Sequence, residues 1–181
     1  MEIPFSESLR VLNEGDFTLV AWFWALALPG ENREVFQQMD RNGTGRTWLF
    51  VHGDTNEIRS YLGGATTSSG VLLEPGVWYH AAVVVTEGGG SDTVQLYVNG
   101  EPAGAPTPQA MESSEGNYLI GCHKNFTNFW NGLIDEVALF NRALSPEEIQ
   151  ALMNEGLEGA LSVDPAGKLS LFWGGLKRSA W

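Results

Sequence analysis

The amino-acid sequence predicts an all-β fold, a two-sheet antiparallel jelly-roll sandwich with one short helix near residues 145–155. Short apolar segments recur along the chain and are separated by clusters of Gly, Asn, Asp and Pro. Glycine is abundant, at 22 of 181 residues, as expected for a chain with many turns. One segment, after Ser145, has apolar residues at helical spacing. Many short strands and little helix are typical of a sandwich or jelly roll.

The first half of the chain contains strand-like segments at 2–5, 16–28, 34–39, 48–52 and 57–62. In 16–28 both the odd-numbered and the even-numbered positions are largely apolar. Each face of this strand is therefore expected either to be covered by other parts of the protein or to be used for binding. Residues 53–56 form a predicted hairpin turn, and residues 63–70 are expected to be a polar loop.

In the second half, 77–86 is the most strand-like segment of the chain. A further strand at 93–98 leads into Asn99-Gly100, which is typical of a type I′ hairpin because both central residues need a positive φ. Strands at 118–121 and 133–140 complete the predicted sheets.

The helix has recognisable ends. Ser145 is a favourable N-cap, Pro146 suits the first helical position, and Glu148 completes a capping box with Ser145. Gly156 fits the C-terminal cap. Residues 1–159 are therefore interpreted as one domain, and residues 160–181 as a C-terminal extension in which 168–173 adds a strand.

The charge and composition exclude several classes of function. A net charge of −12 repels phosphate backbones, so a nucleic-acid partner is not expected. No apolar stretch approaches the roughly 20 residues of a membrane span, so membrane insertion is not expected either. The one cysteine, Cys122, excludes an internal disulfide and a zinc-binding spacing, and it is expected to be a buried core residue.

No catalytic arrangement stands out, and the sequence predicts a protein that is not an enzyme. A retaining glycosidase needs two carboxylates about 5–5.5 Å apart. Asp135 and Glu136 are adjacent on a strand and would point to opposite faces. A nucleophile elbow of the Gly-x-Ser-x-Gly type is missing. His80 lies in the central strand and is expected to be a structural histidine bonded to the backbone.

Four segments resemble laminin G-like jelly-roll domains of the concanavalin A-like lectin/glucanase superfamily, and more distantly pentraxins. They are GLIDEVALFNRALSPEEIQAL at 132–152, GVWYHAAV at 76–83, LYVNGE at 96–101 and FTLVAW at 17–22. They follow the order of the family and cover about residues 2–156. The resemblance implies two curved sheets and a role in recognition, often of carbohydrate. It also implies a further strand upstream of Glu2, which is expected to have been trimmed and whose place 168–173 is expected to fill.

The resemblance also implies that a structural Ca²⁺ is possible, although no cofactor is certain. Asp40 opens a segment, 40–44, with the alternating oxygen ligands of a calcium loop, but the closing Glu of an EF-hand is missing. A plain polar hairpin loop is the alternative. Asp135 occupies a position that can hold a structural ion in related jelly rolls. Residues 122–128 contain no acid, so a calcium site of the pentraxin type is not expected.

A carbohydrate site would combine aromatic rings for stacking with polar loop residues for the hydroxyl groups. The residues that the sequence offers for such a site are Trp24, Trp48, Trp130, Arg41, Asn42, Asp54, Asn56 and Asn125. Trp22 and Trp78 match core positions of the family and are interpreted as structural. The alternative is that the candidate tryptophans pack against a sheet and the loops are merely solvated.

The sequence thus predicts a non-catalytic binding module, for carbohydrate recognition or adhesion, within a larger secreted or cell-surface protein. The expected partner is a glycan or a cell-surface or matrix protein, and the expected location is extracellular or at the cell surface. A structural or protein-interaction domain without a glycan ligand remains an alternative. The second alternative is that the protein is a glycoside hydrolase.

Overall fold

A computed structural model describes residues 1–7, 10, 15–38, 47–110 and 115–160 of the chain. Two antiparallel sheets stack as a sandwich, which confirms the predicted fold class. In chain order the elements are β1 (Glu2–Ile3), β2 (Phe17–Ala25), β3 (Arg33–Gln38), β4 (Thr47–Val51), β5 (Glu57–Leu62), β6 (Ala65–Leu72), β7 (Trp78–Thr86), β8 (Asp92–Val98), β9 (Glu101–Gln109), β10 (Tyr118–Ile120), β11 (Gly132–Phe140) and the helix α1 (Pro146–Ala160). The six-stranded sheet has the order β1-β10-β3-β4-β5-β6, and the five-stranded sheet the order β11-β2-β7-β8-β9.

The core lies between the two sheets and follows the alternation read from β2. Phe17, Leu19 and Phe23 are fully buried and pack against the inner residues of the six-stranded sheet, among them Phe36 and Leu49. Burial of side chains of this size stabilises the fold by about 1.5–3 kcal/mol each. The intervening residues of β2 point away from the core, as the sequence predicts.

The outer face of the five-stranded sheet is half covered by α1. Val20 and Phe140 on this face are buried together with Ile149, Leu152 and Leu157 of the helix. The apolar stripe of the helix thus supplies the cover that the second apolar face of β2 requires.

The helix begins at the predicted capping box. Ser145 Oγ accepts a hydrogen bond from the Glu148 N–H at 3.3 Å, and the Ser145 N–H donates to Glu148 Oε2 at 2.9 Å. Arg142 clamps the same carboxylate with donor–acceptor distances of 2.7 and 2.6 Å. Gly156 has a φ of +70°, as expected at a helix C-terminus, but the chain then makes a further turn to Ala160. The helical segment is therefore longer than predicted.

Two strands differ from the sequence expectation. Residues 63–70 were expected to be a polar loop, but most of them belong to β6. Its small polar residues alternate between a buried and an exposed side, and buried Thr67 accepts a hydrogen bond from Gln109 Nε2 at 3.3 Å. β9 contains three prolines, which are rare in strands, so the sequence does not indicate a strand here. It lies at a sheet edge, where a missing N–H is tolerated.

One side of the sandwich is open between β1 and β11, which are edge strands of the two sheets. An apolar cavity at this side is lined by residues that include Ile3, Phe36, Tyr118 and Leu139. The strand predicted at 168–173, together with the rest of 161–181, lies outside the described residues, and that strand stays a prediction. Among the described residues, no helix has the length and apolarity needed to cross a bilayer.

Gly132 allows the closest approach of β11 to β2. A Cβ at this position would overlap with the carbonyl oxygen of Trp24 and stand 2.9 Å from Trp130 Nε1. We expect Gly132→Ala to lower the free energy of unfolding by about 2–3 kcal/mol, because backbone atoms must shift to admit the methyl group. Gly89→Ala, where a Cβ meets nothing within 4 Å, is the matched control. Equal urea midpoints for the two variants would contradict this expectation.

Candidate functional site

The outer face of the six-stranded sheet carries a row of side chains that we call the Trp48 row. Strand pairing aligns Gln37 of β3 with Trp48 of β4, Trp48 with Tyr61 of β5, and Tyr61 with Thr66 of β6. Residues that pair directly share a face of the sheet. Their chain neighbours, such as Leu49, point into the core, so the row points outward.

A second row runs beside it on the same face. Glu34, Phe50, Arg59 and Ser68 are aligned by the same strand pairing. Arg59 forms an ion pair with Glu57, with Nη2 at 2.6 Å from Oε2. The other oxygen of Glu57 accepts a hydrogen bond from the Gly70 N–H at 2.8 Å. Both oxygens of this carboxylate are therefore already engaged.

Trp48 is the centre of an aromatic group on this face. Its ring centroid is 5.0 Å from that of Tyr61, with 31° between the ring planes. Phe50 meets the indole edge to face at 6.1 Å. Phe50 is buried, whereas Trp48 and Tyr61 are partly exposed. These two rings are thus the aromatic surface that a ligand can reach.

The loop between β10 and β11, residues 121–131, lies against one side of this face. Its start is fixed by a hydrogen bond from the Gly121 N–H to the Val35 carbonyl at 3.0 Å. The Lys124 N–H then donates to Gln37 Oε1 at 2.6 Å. The His123 ring stands 6.1 Å from Trp48, edge to face. The loop therefore forms a wall beside the aromatic group.

Three polar atoms at the base of this wall are buried without a partner. They are Glu34 Oε2, Gln37 Nε2 and Trp48 Nε1. Gln37 has no exposed surface and Glu34 only 2%. Each unpaired buried group costs about 1–3 kcal/mol, so such groups call for an explanation such as a water or a ligand. Two of the three atoms are donors on neighbouring residues of one row.

Burial raises the pKa of Glu34 from 4.5 to about 7. Desolvation is the main cause, because the charged form loses its hydration beneath the loop. A backbone hydrogen bond and, after it, the charge of Arg33 lower the pKa, but desolvation outweighs them. Near neutral pH the carboxyl group therefore exists in both its protonated and its charged form.

The structure brings Trp48 and Asn125 to this face and separates from them the other candidates among the described residues. Asn125 is exposed in the loop, and its N–H donates to His123 Nδ1 at 3.4 Å. Asp54 and Asn56 lie in the turn after β4, which leads away from Trp48 by about 3.3 Å per residue. Asn56 has a φ of +57°, as the turn prediction requires.

Trp130 is part of the packing at one end of the five-stranded sheet. Its indole N–H donates to the Trp24 carbonyl at 3.1 Å, and its ring meets Phe23 edge to face at 5.5 Å. Trp24 itself lies on the outer face of the five-stranded sheet, in register with Trp78. Neither residue is beside Trp48.

Of the two candidate metal ligands, Asp135 lies within the described residues and Asp40 lies outside them. Asp40, Arg41 and Asn42 lie outside the described residues, so the calcium loop at 40–44 stays a prediction. Asp135 Oδ1 accepts a hydrogen bond from the Glu136 N–H at 3.0 Å. Across the part of the chain that the structure describes, no group of three or more His, Cys, Asp or Glu side chains is placed to hold a metal ion.

Trp78 corrects the expectation that it and Trp22 belong to the core. It is 41% exposed, and Trp22 meets it edge to face at 6.4 Å on the outer side of the five-stranded sheet. Trp24 and the 56% exposed Leu133 are in register with it. We call these four residues the tryptophan face. It is exposed because α1 covers only the other half of the sheet.

His80 lies buried in the five-stranded sheet, as expected of a structural histidine. The side chain is buried, but its Nδ1 has no partner, so the predicted bond to the backbone is not made by this atom. Burial lowers the pKa of His80 from 6.5 to about 4. Above pH 6.5 the ring is neutral in both the folded and the unfolded chain. As the pH falls from 6.5 through about 4, the unfolded chain takes up a proton before the folded one, so the free energy of unfolding decreases.

Glu34→Gln is expected to remove a pH dependence of stability. Below pH 4.5 the carboxyl is protonated in both the folded and the unfolded state. Between pH 4.5 and about 7 the unfolded chain loses the proton first, so the wild type becomes less stable as the pH rises. The unfolding free energy of the variant minus that of the wild type should therefore increase by about 3 kcal/mol across this window.

Urea unfolding at several pH values on both sides of the window measures this difference. The opposite contribution of His80 is the same in both proteins and cancels, since the two residues lie in different sheets. A difference that stays constant with pH would show that Glu34 titrates normally.

Comparison with known structures identifies proteins of the same architecture. A heptameric SAP-like pentraxin from Limulus polyphemus has a TM-score of 0.59 at 15% identity, over 84% of this chain and 80% of the pentraxin. The CBM40 of the Ruminococcus gnavus IT-sialidase, bound to α2,3-sialyllactose, has a TM-score of 0.60 at 14% identity, over 85% of this chain and 96% of the CBM40. Trypanosoma rangeli sialidase matches with a TM-score of 0.58 at 21% identity, over 80% of this chain but only 24% of the sialidase.

At these identities the likeness shows a shared fold and nothing more. A search of curated protein sequences finds no match. A family profile, in contrast, covers most of the chain and agrees with the resemblance read from the four sequence segments. This profile matches residues 3–150, and the protein belongs to the concanavalin A-like lectin/glucanases superfamily.

Proposed function

We propose that the protein is a non-catalytic module that binds a neutral glycan on the outer face of the six-stranded sheet. One observation carries this proposal. The partly exposed rings of Trp48 and Tyr61 lie beside two buried donors without partners, Trp48 Nε1 and Gln37 Nε2. Glycans carry apolar C–H faces and hydroxyl acceptors on the same ring, so both features of the site find a counterpart in one ligand.

The two donors give the ligand a physical reason to bind. Both donor atoms are closed to solvent in the free protein, so a hydroxyl reaches them only where the loop at 121–131 shifts to admit it. A hydroxyl that then accepts from Gln37 or Trp48 satisfies a group that the free protein leaves unpaired, away from bulk water. The exposed Thr66 and Ser68 extend the polar surface along the same two rows. Aromatic contact area with a few fixed polar groups is the usual composition of a small-molecule site.

The charges on this face favour a neutral rather than an anionic glycan. Arg59, the arginine of the two rows, is already paired with Glu57. Glu34 adds a group that is partly negative near neutral pH. In the described part of the two rows, therefore, the guanidinium group that could receive the carboxylate of a sialic acid is already engaged by Glu57. The α2,3-sialyllactose bound to the CBM40 belongs to that protein.

The carboxylates of the face support binding rather than glycoside hydrolysis. Hydrolysis needs two carboxyl groups that flank the scissile bond, one as acid and one as base or nucleophile. Glu57 is held by Arg59 and by the Gly70 N–H, which leaves Glu34 without an available second carboxylate among the described residues of the two rows. The proposal extends to a secreted or cell-surface multidomain protein whose partner is a glycan of a cell surface or matrix.

Trp48→Ala is expected to weaken glycan binding about tenfold or more, because it removes both the stacking surface and one of the two donors. The measurement is isothermal titration with a panel of neutral oligosaccharides and with α2,3-sialyllactose. Trp78→Ala is the matched control, since it removes a partly exposed tryptophan from the opposite sheet. Equal losses for both variants, or binding of sialyllactose in preference to every neutral sugar, would refute the proposal.

Protein docking is a second candidate function, and the tryptophan face is the observation that favours it. Trp78 and Leu133 expose apolar surface in adjacent strands, and such patches often mark interaction sites. The same titrations separate the candidates. A folded protein that binds no glycan of the panel would favour docking on this face.

A further inference from the structure

The loop beside Trp48 contains two residues in an unusual backbone conformation. Phe126 has a φ of +54° and Asn128 a φ of +53°. Asparagine adopts this left-handed region readily, but a bulky residue such as phenylalanine seldom does, because its Cβ crowds the backbone. The position of Phe126 therefore carries a conformational cost that the rest of the loop must offset.

Backbone hydrogen bonds hold Phe126 in place from within the loop. The Phe126 N–H donates to the His123 carbonyl at 2.8 Å, and the His123 N–H donates to the Thr127 carbonyl at 3.0 Å. The turn thus closes on His123, whose ring stands 6.1 Å from Trp48. The next residue, Lys124, is tied to Gln37 at the base of the site.

The phenylalanine ring gains little from this arrangement in the free protein. Phe126 is 53% exposed, so core burial does not offset its backbone cost. A glycine at the same place would adopt the same φ without strain. The loop nevertheless holds an exposed aromatic side chain three residues from His123, whose ring borders Trp48.

We infer that Phe126 is a specificity-determining residue that contacts a second sugar unit of the ligand. This inference rests on the proposed function. Phe126 is joined to His123 through the backbone, and His123 is the residue whose ring meets Trp48. Since no ring contact joins Phe126 to Trp48 in the described part of the chain, a ligand that touches both must extend beyond one sugar ring. The ligand class is therefore a neutral oligosaccharide, and a monosaccharide makes only the contacts at Trp48.

Paired substitutions separate the ring from the backbone. Phe126→Ala and Phe126→Gly both remove the ring, but only glycine relieves the strain of a positive φ. We expect both variants to lose at least about fivefold in affinity for the neutral oligosaccharide that the wild type binds best, with unchanged affinity for its monosaccharide. Phe126→Gly should melt at a higher temperature than Phe126→Ala, and Phe126→Tyr should bind as the wild type does.

Phe129→Ala is the control within the same loop. Phe129 is 59% exposed but lies outside the turn that closes on His123, so its removal should leave oligosaccharide affinity unchanged. An equal loss for Phe129→Ala, or wild-type oligosaccharide affinity for Phe126→Ala and Phe126→Gly, would overturn the inference. Loss of binding in Trp48→Ala alone would leave the proposed function standing, whereas full binding by Trp48→Ala would refute the proposed function itself.

Discussion

The hydrogen bond from the Lys124 N–H to Gln37 Oε1, at 2.6 Å, joins the loop at 121–131 to the six-stranded sheet. Gln37 is fully buried and pairs in register with Trp48, so this bond fixes the loop beside the aromatic group. The placement of the His123 ring near Trp48 follows from it. The bond uses the oxygen of the Gln37 amide and leaves its nitrogen as a donor without a partner. The Gln37 side chain thus fixes the loop through its oxygen and supplies a donor of the proposed site through its nitrogen.

The two outer faces of the sandwich solve the same physical problem in different ways. Strands with apolar residues on both sides need cover on the outside as well as in the core. On the five-stranded sheet, α1 covers one half and leaves Trp78 and Leu133 exposed. On the six-stranded sheet, Phe50 is buried while Trp48 and Tyr61 stay partly exposed. The uncovered remainder of each face is where a partner can bind.

Local patterns in the sequence predicted the local structure well. The alternation in β2 and the capping box of Ser145 depend on neighbours along the chain, and both are confirmed. The site depends on pairing between distant strands, which a single sequence does not specify. Trp48 is therefore a candidate by its residue type, whereas nothing in the sequence marks Gln37 as its register partner. Trp78 was misplaced because the extent of cover by α1 cannot be read from residue types.

We propose that a neutral glycan binds at Trp48 and not on the tryptophan face. Nitrogen-15 correlation spectra report the indole N–H groups and the side-chain amides separately during a titration with a neutral oligosaccharide. We expect the signals of the Trp48 indole and the Gln37 amide to shift strongly, because both donors gain an acceptor. The indoles of Trp24 and Trp78 should stay in place. Shifts of those two indoles with an unmoved Trp48 signal would contradict the account.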